Sequence, residues 1–273
     1  MMHFEDYIKQ VRSLGSYFFT AEQAISDLKI SKESLNSRVY KIKKKQEIIS
    51  PARNLYVIVP PEHRIMGSLP AEDLIPIVMK YLKVNYYVCL LSAAHYHGAS
   101  HQKAQVFQVM VSKRLKNIEH GKIRIEFIYK KNWELQDLFI NHIQKRVVKT
   151  GYLNISSPEL TAMDLLSYKK SSGGLNAIAT VLSELIEAFD ETRLLQLLEK
   201  SGTNAWWQRL GCILENIEVM DPEKLEEILS VLRQYAKKNQ SSWVSLAPEL
   251  SVKGMPRNNL WRVIENTEIE GDL

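Results

Sequence analysis

The residues of this sequence best placed to do chemistry lie between Ser31 and Val59. The chemistry they offer is charge-mediated binding, not bond-making. Ser31 is a helix N-cap type, because its hydroxyl can accept an orphan backbone N–H of the first turn. Leu35, Val39 and Ile42 then recur at i, i+4 and i+7, which places one apolar stripe along one side of a helix. At about 100° per residue, the opposite side carries Ser37, Tyr40, Lys41 and Lys44, flanked by Asn36 and Lys45, with Ser34 in the first turn. A short, polar, basic face is what a helix lying in the major groove of DNA requires. After Gln46 the pattern changes to strands: Ile48–Ile49, a turn at Pro51-Ala52-Arg53-Asn54, then Leu55–Val59. Asn54 can take the left-handed conformation such a turn needs. A recognition helix followed by a β-wing is the reading. The candidate DNA contacts are Ser34, Asn36, Ser37, Tyr40, Lys41, Lys44, Lys45 and, at the wing tip, Arg53, which could enter a minor groove. Phosphate contacts from Lys41, Lys43, Lys44 and Lys45 would position the protein and not specify sequence.

Other clusters of reactive residue types carry less. His95, His97 and His101 suggest a metal, but two residues apart on a helix His95 and His97 point in nearly opposite directions, and Gly98 breaks the helix before His101. Glu126 with Lys130 has the Glu-x-x-x-Lys look of a nuclease, yet strand alternation puts Glu126 beside Arg124, where cross-strand ion pairing is the ordinary explanation. Thr161 and Asp164 share a helix next to Ser157. A phosphotransferase would also need a glycine-rich phosphate loop, and Gly173-Gly174 at a helix C-terminus is the wrong dipole end. No catalytic residue, metal or cofactor is therefore expected.

The elements that must position the basic face are legible around it. Phe4, Tyr7, Ile8, Val11 and Leu14 mark an amphipathic helix that Gly15 ends. Thr20 and Gln23 form a capping-box pattern ahead of a second, short helix through Leu28. Lys29-Ile30-Ser31 is the turn into the third. Three helices and a two-strand wing make a winged helix-turn-helix, with a plain three-helix bundle bearing a solvated face as the alternative.

Beyond Pro60-Pro61 a larger mixed region is expected. Helices are read at Asp73–Val84 and, capped by Asn85, at Tyr86–His97. Strands are read at Val106–Val111, Lys122–Tyr129 and Val147–Ile155, the last interrupted at Gly151, with a short helix and loop between Lys130 and Lys145. Ser157 with Pro158 at the first helical position starts a helical run. Further helices are expected at Leu175–Phe189, Glu191–Lys200, Ala205–Ile217 and Pro222–Asn239, with a last strand at Leu260–Ile264. The fold class is α/β in the α+β sense, divided at residues 1–62 and 63–273.

Composition agrees with two functions. The chain has 273 residues, 45% hydrophobic and 25% charged, with a formal charge of +5. Residues 1–60 hold ten Lys/Arg against six Asp/Glu, so the basic excess is concentrated at the N-terminal end. That asymmetry favours a polyanionic partner there and something else for the rest. Cys89 and Cys212 sit in apolar contexts that suit buried free thiols. The longest stretch free of Lys, Arg, Asp and Glu, Val84–Gln102, carries three histidines and a glycine and is no membrane span. With no signal-peptide pattern at the start, a cytoplasmic protein is expected.

Tyr86-Tyr87-Val88-Cys89-Leu90-Leu91-Ser92-Ala93-Ala94 with His97-Gly98-Ala99, His101-Gln102 and Gln105-Val106-Phe107-Gln108-Val109 resembles the C-terminal domain of the AbiEi abortive-infection antitoxins. So do Ser157-Pro158-Glu159 with Thr161-Ala162-Met163-Asp164-Leu165-Leu166, Gly173-Gly174-Leu175, Gln208-Arg209-Leu210-Gly211, and Trp261-Arg262-Val263-Ile264 with Asn266. The winged helix of that family is similar at Ile48-Ile49-Ser50-Pro51 and Leu55-Tyr56-Val57-Ile58-Val59-Pro60. Gln46 departs from it, standing where a glycine often ends the recognition helix, so the helix is expected to run on or to lack a left-handed cap. Asn54 stands where the wing often has glycine.

The resemblance implies a type IV antitoxin. It would bind inverted repeats in its own promoter, repress its operon, and neutralise a cognate nucleotidyltransferase-like toxin by direct or purely functional means. Alternatives are an antitoxin that modifies its toxin as an atypical protein kinase, and a plain transcription regulator whose C-terminal part binds a ligand or dimerises. No heptad seam or long apolar stripe marks an obligate dimer, so a monomer that pairs on DNA is expected.

Overall fold

The computed structural model describes residues 2–99, 105–131, 141–202, 205–239 and 241–269. At the N-terminal end, α1 (Phe4–Ser13), β1 (Phe18–Thr20), α2 (Ala21–Leu28) and α3 (Lys32–Lys44) lead into β2 (Ile48–Ala52) and β3 (Leu55–Ile58). Thr20 closes its capping box: its Oγ1 accepts the Gln23 N–H at 3.2 Å, and its own N–H donates to Gln23 Oε1 at 2.8 Å. Lys29 turns the chain between α2 and α3 in the left-handed region, at φ 51°. Leu35, Val39 and Ile42 are buried with Phe4, Tyr7, Phe19 and Leu28 in one apolar cluster. Each such side chain contributes about 1.5–3 kcal/mol on burial, which ties the helix axis to that core.

The wing has a third strand that the sequence reading lacked. β1 pairs antiparallel with β3, giving the order β1-β3-β2. Pro51 lies inside β2, where the register shifts between Ile49 and Ala52, as a residue without an N–H requires.

The chain forms two compact units. The first comprises Met1–Tyr87, Gln105–Lys131 and Lys145–Asn154. Besides the winged helix it holds α4 (Ala71–Leu82) and most of a six-stranded sheet. That sheet is built from β4 (Tyr86–Val88), β5 (Phe107–Val111), β6 (Ile118–His120), β7 (Ile123–Tyr129), β8 (Ile143–Val148) and β9 (Gly151–Ser156), in the order β6-β7-β5-β4-β9-β8. β5 and β7 run parallel from Phe107↔Ile125 to Val111↔Tyr129, and β6 pairs antiparallel with β7. The expected helix over Tyr86–His97 is instead β4 followed by α5 (Leu90–Tyr96). An unbroken apolar run is compatible with either element, and here the pleat of the sheet claims its first three residues. The expected single strand at Val147–Ile155 is two strands, split by a turn at Lys149 and Thr150 just before Gly151, which takes φ 133°. The expected helix and loop between Lys130 and Lys145 falls mainly outside the described residues, apart from β8, which already begins at Ile143.

The second unit comprises Val88–Ala104, Asn132–Gln144 and Ile155–Leu273. α6 (Pro158–Ser167) is its centre, surrounded by α5, α7 (Leu175–Leu185), α8 (Glu191–Lys200) and α9 (Ala205–Leu214). Ser157 caps α6, its Oγ accepting the Leu160 N–H at 3.3 Å with Pro158 at the first position, as expected. α10 (Pro222–Lys238) packs on α8 and α9, and a small sheet of β10 (Val244–Ser245), β12 (Val263–Ile264) and β11 (Arg257–Asn258) closes the unit. Gly211 on α9 faces the buried ring of Trp261. A Cβ there would lie 2.4 Å from its atoms, so only glycine lets the ring reach the helix. Helices, the mixed sheet and the N-terminal helix-turn-helix together make the α+β class expected.

Candidate nucleic-acid interface

α3 presents the face its spacing implies. Ser31 Oγ accepts the Ser34 N–H at 3.2 Å, so the cap is formed and the Ser34 side chain is left half-buried at the first turn. Asn36, Ser37, Tyr40, Lys41, Lys44 and Lys45 are all exposed. Ser37 Oγ donates back to the Glu33 carbonyl at 3.1 Å. Tyr40 leaves 60% of its surface in solvent, and Lys44 Nζ stands 4.7 Å from its ring centroid, so the two form one amphipathic knob. Lys45 is less free: its Nζ pairs with Glu5 of α1 at 2.8 Å. That bond raises the Lys45 pKa and lowers that of Glu5.

Lys43 is turned away from these residues. Its Nζ lies 5.9 Å from the Tyr56 ring centroid, toward the wing, and burial lowers its pKa.

The helix ends differently from the sequence expectation. Gln46 takes the left-handed conformation at φ 57° although it is not glycine. Its N–H donates to the Lys43 carbonyl at 2.9 Å, and the Glu47 N–H reaches the Ile42 carbonyl at 3.3 Å. These two bonds are those of a Schellman closure, which stops the helix and turns the chain into the wing. A non-glycine residue there costs about 1 kcal/mol of backbone strain, which the two bonds and the packed wing offset. Asn54 adopts φ 62° at the wing tip, as expected, and Arg53 beside it is exposed.

Two residues outside the winged helix support the wing, and the sequence reading found neither. Tyr81 of α4 donates its hydroxyl to the Arg53 carbonyl at 2.9 Å. His120 lies on β6, which packs on β2 of the wing; burial lowers its pKa, more than the nearby Ser50 backbone raises it. Tyr81 reads in sequence as one more apolar residue on a helix face, so only the fold reveals its bond.

The remaining clusters are structural among the described residues. His97 Nε2 lies 2.7 Å from the Ser156 carbonyl, and burial lowers its pKa; His95 is exposed, and His101 falls outside the described residues. No group of three or more His, Cys, Asp or Glu among the described residues could hold a metal ion. Glu126 lies opposite Gln108 in the parallel register and accepts from its Nε2 at 3.3 Å, so an amide on the neighbouring strand stands where ion pairing was expected. Lys130 Nζ donates to the Tyr87 hydroxyl at 3.0 Å. Thr161 Oγ1 donates to the Ser157 carbonyl at 2.8 Å and lies 2.7 Å from Ser156 Oγ, so it is spent within its own helix start. Cys89 and Cys212 are buried free thiols, as expected, and burial with nearby Glu265 pushes the Cys212 thiol up to about 12.

A winged helix followed by a mixed α+β region is the class of protein this arrangement defines. Residues 86–216 match the family model described as the AbiEi antitoxin C-terminal domain. A domain of that kind is present in this chain, consistent with an AbiEi-family antitoxin of a type IV toxin–antitoxin system. Among solved structures, the RV2827C protein from Mycobacterium tuberculosis has the same fold, with a TM-score of 0.60 at 14% identity over 94% of this chain and 89% of that one. An antigenic nucleotidyltransferase-like protein from Paracoccidioides brasiliensis aligns with a TM-score of 0.35 at 7% identity, over 59% of this chain and 90% of that one, too low to indicate a shared fold. Comparison with curated proteins gave no match. No helix among the described residues is long and apolar enough to cross a membrane.

Proposed function

We propose that residues 1–62 are a DNA-binding module that represses transcription from the chain's own promoter at inverted repeats. In the same reading, residues 63–273 neutralise a cognate nucleotidyltransferase-like toxin in the cytoplasm, with or without direct contact. The observation that carries it is the exposed face of Asn36, Ser37, Tyr40, Lys41 and Lys44, set opposite a buried stripe and followed by a wing held at tip and base. Lys41 and Lys44 contact phosphates, and Asn36, Ser37 and Tyr40 face base edges, with Ser34 and Lys45 at the two ends of the helix and Arg53 in a minor groove. Two copies bind adjacent half-sites. Each is a monomer of 31.5 kDa in solution, and weak contacts between the copies suffice on DNA, because neighbouring sites raise the effective concentration of one copy for the other.

The test is the binding of a promoter duplex across a salt series. Lys41→Ala with Lys44→Ala weakens binding to every sequence and flattens the dependence of log K on log salt, because fewer counterions are released. Substitution of Asn36 or Tyr40 changes the preferred sequence, by about 1–3 kcal/mol for a residue making a good base contact. If the double lysine variant binds like wild type at all salt concentrations, the face is wrong. Light scattering without DNA checks the monomer, and a two-site fragment checks the cooperativity.

A further inference from the structure

The small sheet that closes the second unit has two faces of opposite chemistry, and its register decides which residue belongs to which. Val244 of β10 and Asn258 of β11 both pair with Val263, whereas Arg257 pairs with Ile264. Successive residues of a strand point to opposite faces. Val263 is fully buried, so its side of the sheet is the inner one. Asn258 and Glu265 share that side, and Asn258 Nδ2 donates to Glu265 Oε1 at 3.1 Å. Arg257 lies on the outer side, and so does Trp243: the Arg257 guanidinium stands 5.3 Å from the Trp243 ring centroid, and that of Arg262 stands 5.8 Å from the same ring.

Arg262 is fixed in place by its backbone. It takes the left-handed conformation at φ 55° although it is not glycine. Its carbonyl accepts the Val244 N–H at 3.0 Å and Gln208 Nε2 at 3.3 Å, and these bonds set the direction from which the side chain leaves the sheet. Both arginines are exposed, and Trp243 is half-buried. Neither arginine is in an ion pair with a carboxylate among the described residues. Two like charges held at one ring repel each other, and a carboxylate placed between them relieves that repulsion.

The surroundings are apolar and not basic. Residues 248–257, which lead into β11, are exposed throughout, Leu250, Val252 and Met255 among them. This connection is anchored where Asn266 Nδ2 donates to the Leu250 carbonyl at 3.1 Å. Residues 243–268 hold Lys253, Arg257 and Arg262 against Glu249, Glu265 and Glu268, so the region has no net positive charge with which to hold a nucleic acid. A tryptophan with two arginines, set among exposed apolar side chains, is the composition of an anchor in a protein interface.

We propose that this outer face of the small sheet is where the chain docks its toxin, on a patch of the toxin that sets one or two carboxylates among apolar side chains. Arg257 and Arg262 take the carboxylates through their two-pronged guanidinium groups, and Trp243 supplies the apolar contact between them. The proposal rests on the neutralisation reading above and narrows its means to direct contact.

The test uses the full chain, its purified cognate nucleotidyltransferase-like toxin, and cells that express that toxin. Wild type is expected to rescue growth and to bind the toxin in a titration, more weakly as salt is raised. Arg257→Gln with Arg262→Gln keeps the length of both side chains and removes both charges. It is expected to weaken toxin binding at least about tenfold and to lose rescue. Its thermal melting and its binding of the promoter duplex stay those of wild type, because both side chains are exposed and serve the toxin alone. Arg257→Lys with Arg262→Lys keeps the charges and should recover part of the affinity. A wild-type chain that fails to rescue refutes the neutralisation reading, and the docking face falls with it. Rescue by wild type without any binding of the purified toxin leaves that reading standing and overturns direct docking. Toxin binding by the glutamine variant equal to that of wild type means that the face is the wrong one. Loss of duplex binding in that variant would assign the face to nucleic acid and overturn the proposal.

Discussion

α3 and α6 both carry polar residues and use them in opposite ways. On α3 the apolar residues are confined to one stripe, and Asn36, Ser37, Tyr40, Lys41 and Lys44 face solvent. On α6, nine of the ten residues are buried, Glu159, Thr161 and Asp164 among them. Glu159 shows what happens to a charge there: Oε2 accepts from Ser157 Oγ at 2.6 Å, and Oε1 accepts the Asp190 N–H at 2.7 Å. Its capacity is spent on joining the start of α6 to the cap of α8, whereas Lys41 and Lys44 of α3 stay exposed to solvent. A run of polar residues marks a binding surface only when the fold leaves them unsatisfied. The segments that resemble a family most strongly follow the same rule. Gln208 donates through Nε2 to the Trp261 carbonyl at 3.0 Å, and Asn266 donates through Nδ2 to the Ala247 carbonyl at 2.7 Å. These are latches of the architecture.

The contrast is sharpest in how each region responds to truncation. Glu159→Ala leaves two donors without their acceptor and is expected to cost roughly 3 kcal/mol in chemical denaturation. Gly211→Ala, which drives a methyl into the Trp261 ring, costs a similar amount, about 3 kcal/mol. Lys41→Ala with Lys44→Ala should stay within about 0.5 kcal/mol per site of wild type in the same experiment. A loss of stability in the lysine variant equal to that of Glu159→Ala would erase the distinction.

Acid should expose the buried region next. His142 is 1% exposed, and its pKa is lowered to about 4 by burial, then by the charges of Arg193 and Lys200. The unfolded chain, near the ordinary value of 6.5, takes up that proton first as pH falls. Stability is therefore complete above that value and is lost on the way down to about 4, by on the order of 3 kcal/mol. Melting followed against pH checks this, and His142→Asn should flatten the profile between those limits.

A smaller effect is expected where the binding region borrows support. Tyr81→Phe removes the bond to the Arg53 carbonyl and frees the wing tip, for about 1 kcal/mol of DNA affinity. Melting should barely move, and a melting loss larger than the affinity loss would make Tyr81 a core residue instead of a brace. Smallest of all, Glu5→Gln releases Lys45 from its ion pair and should raise DNA affinity slightly without altering stability, measured on the same duplex. A fall in affinity would mean that Glu5 holds Lys45 in its working position.

Local chemistry wrote much of this molecule directly into the sequence. The Ser31 cap and its apolar stripe, the Thr20 box, the Ser157-Pro158 start and the bounds of the helix Glu191–Lys200 follow from capping oxygens and helical spacing, which act within a few residues. The exposed residues of the polar face of α3 were legible for the same reason. What depended on distant partners was not. Tyr86–Val88 became a strand because β5 and β9 flank it, and Phe18–Thr20 because β3 offered an edge. Gln46 accepted a left-handed backbone because Ile42 and Lys43 had carbonyls to satisfy. Glu159 and Lys41 look alike as charges in a string of letters. Only packing decided that one would be enclosed by its hydrogen-bond donors and the other left in water, because desolvation and hydrogen-bond satisfaction are properties of the three-dimensional neighbourhood and not of the residue.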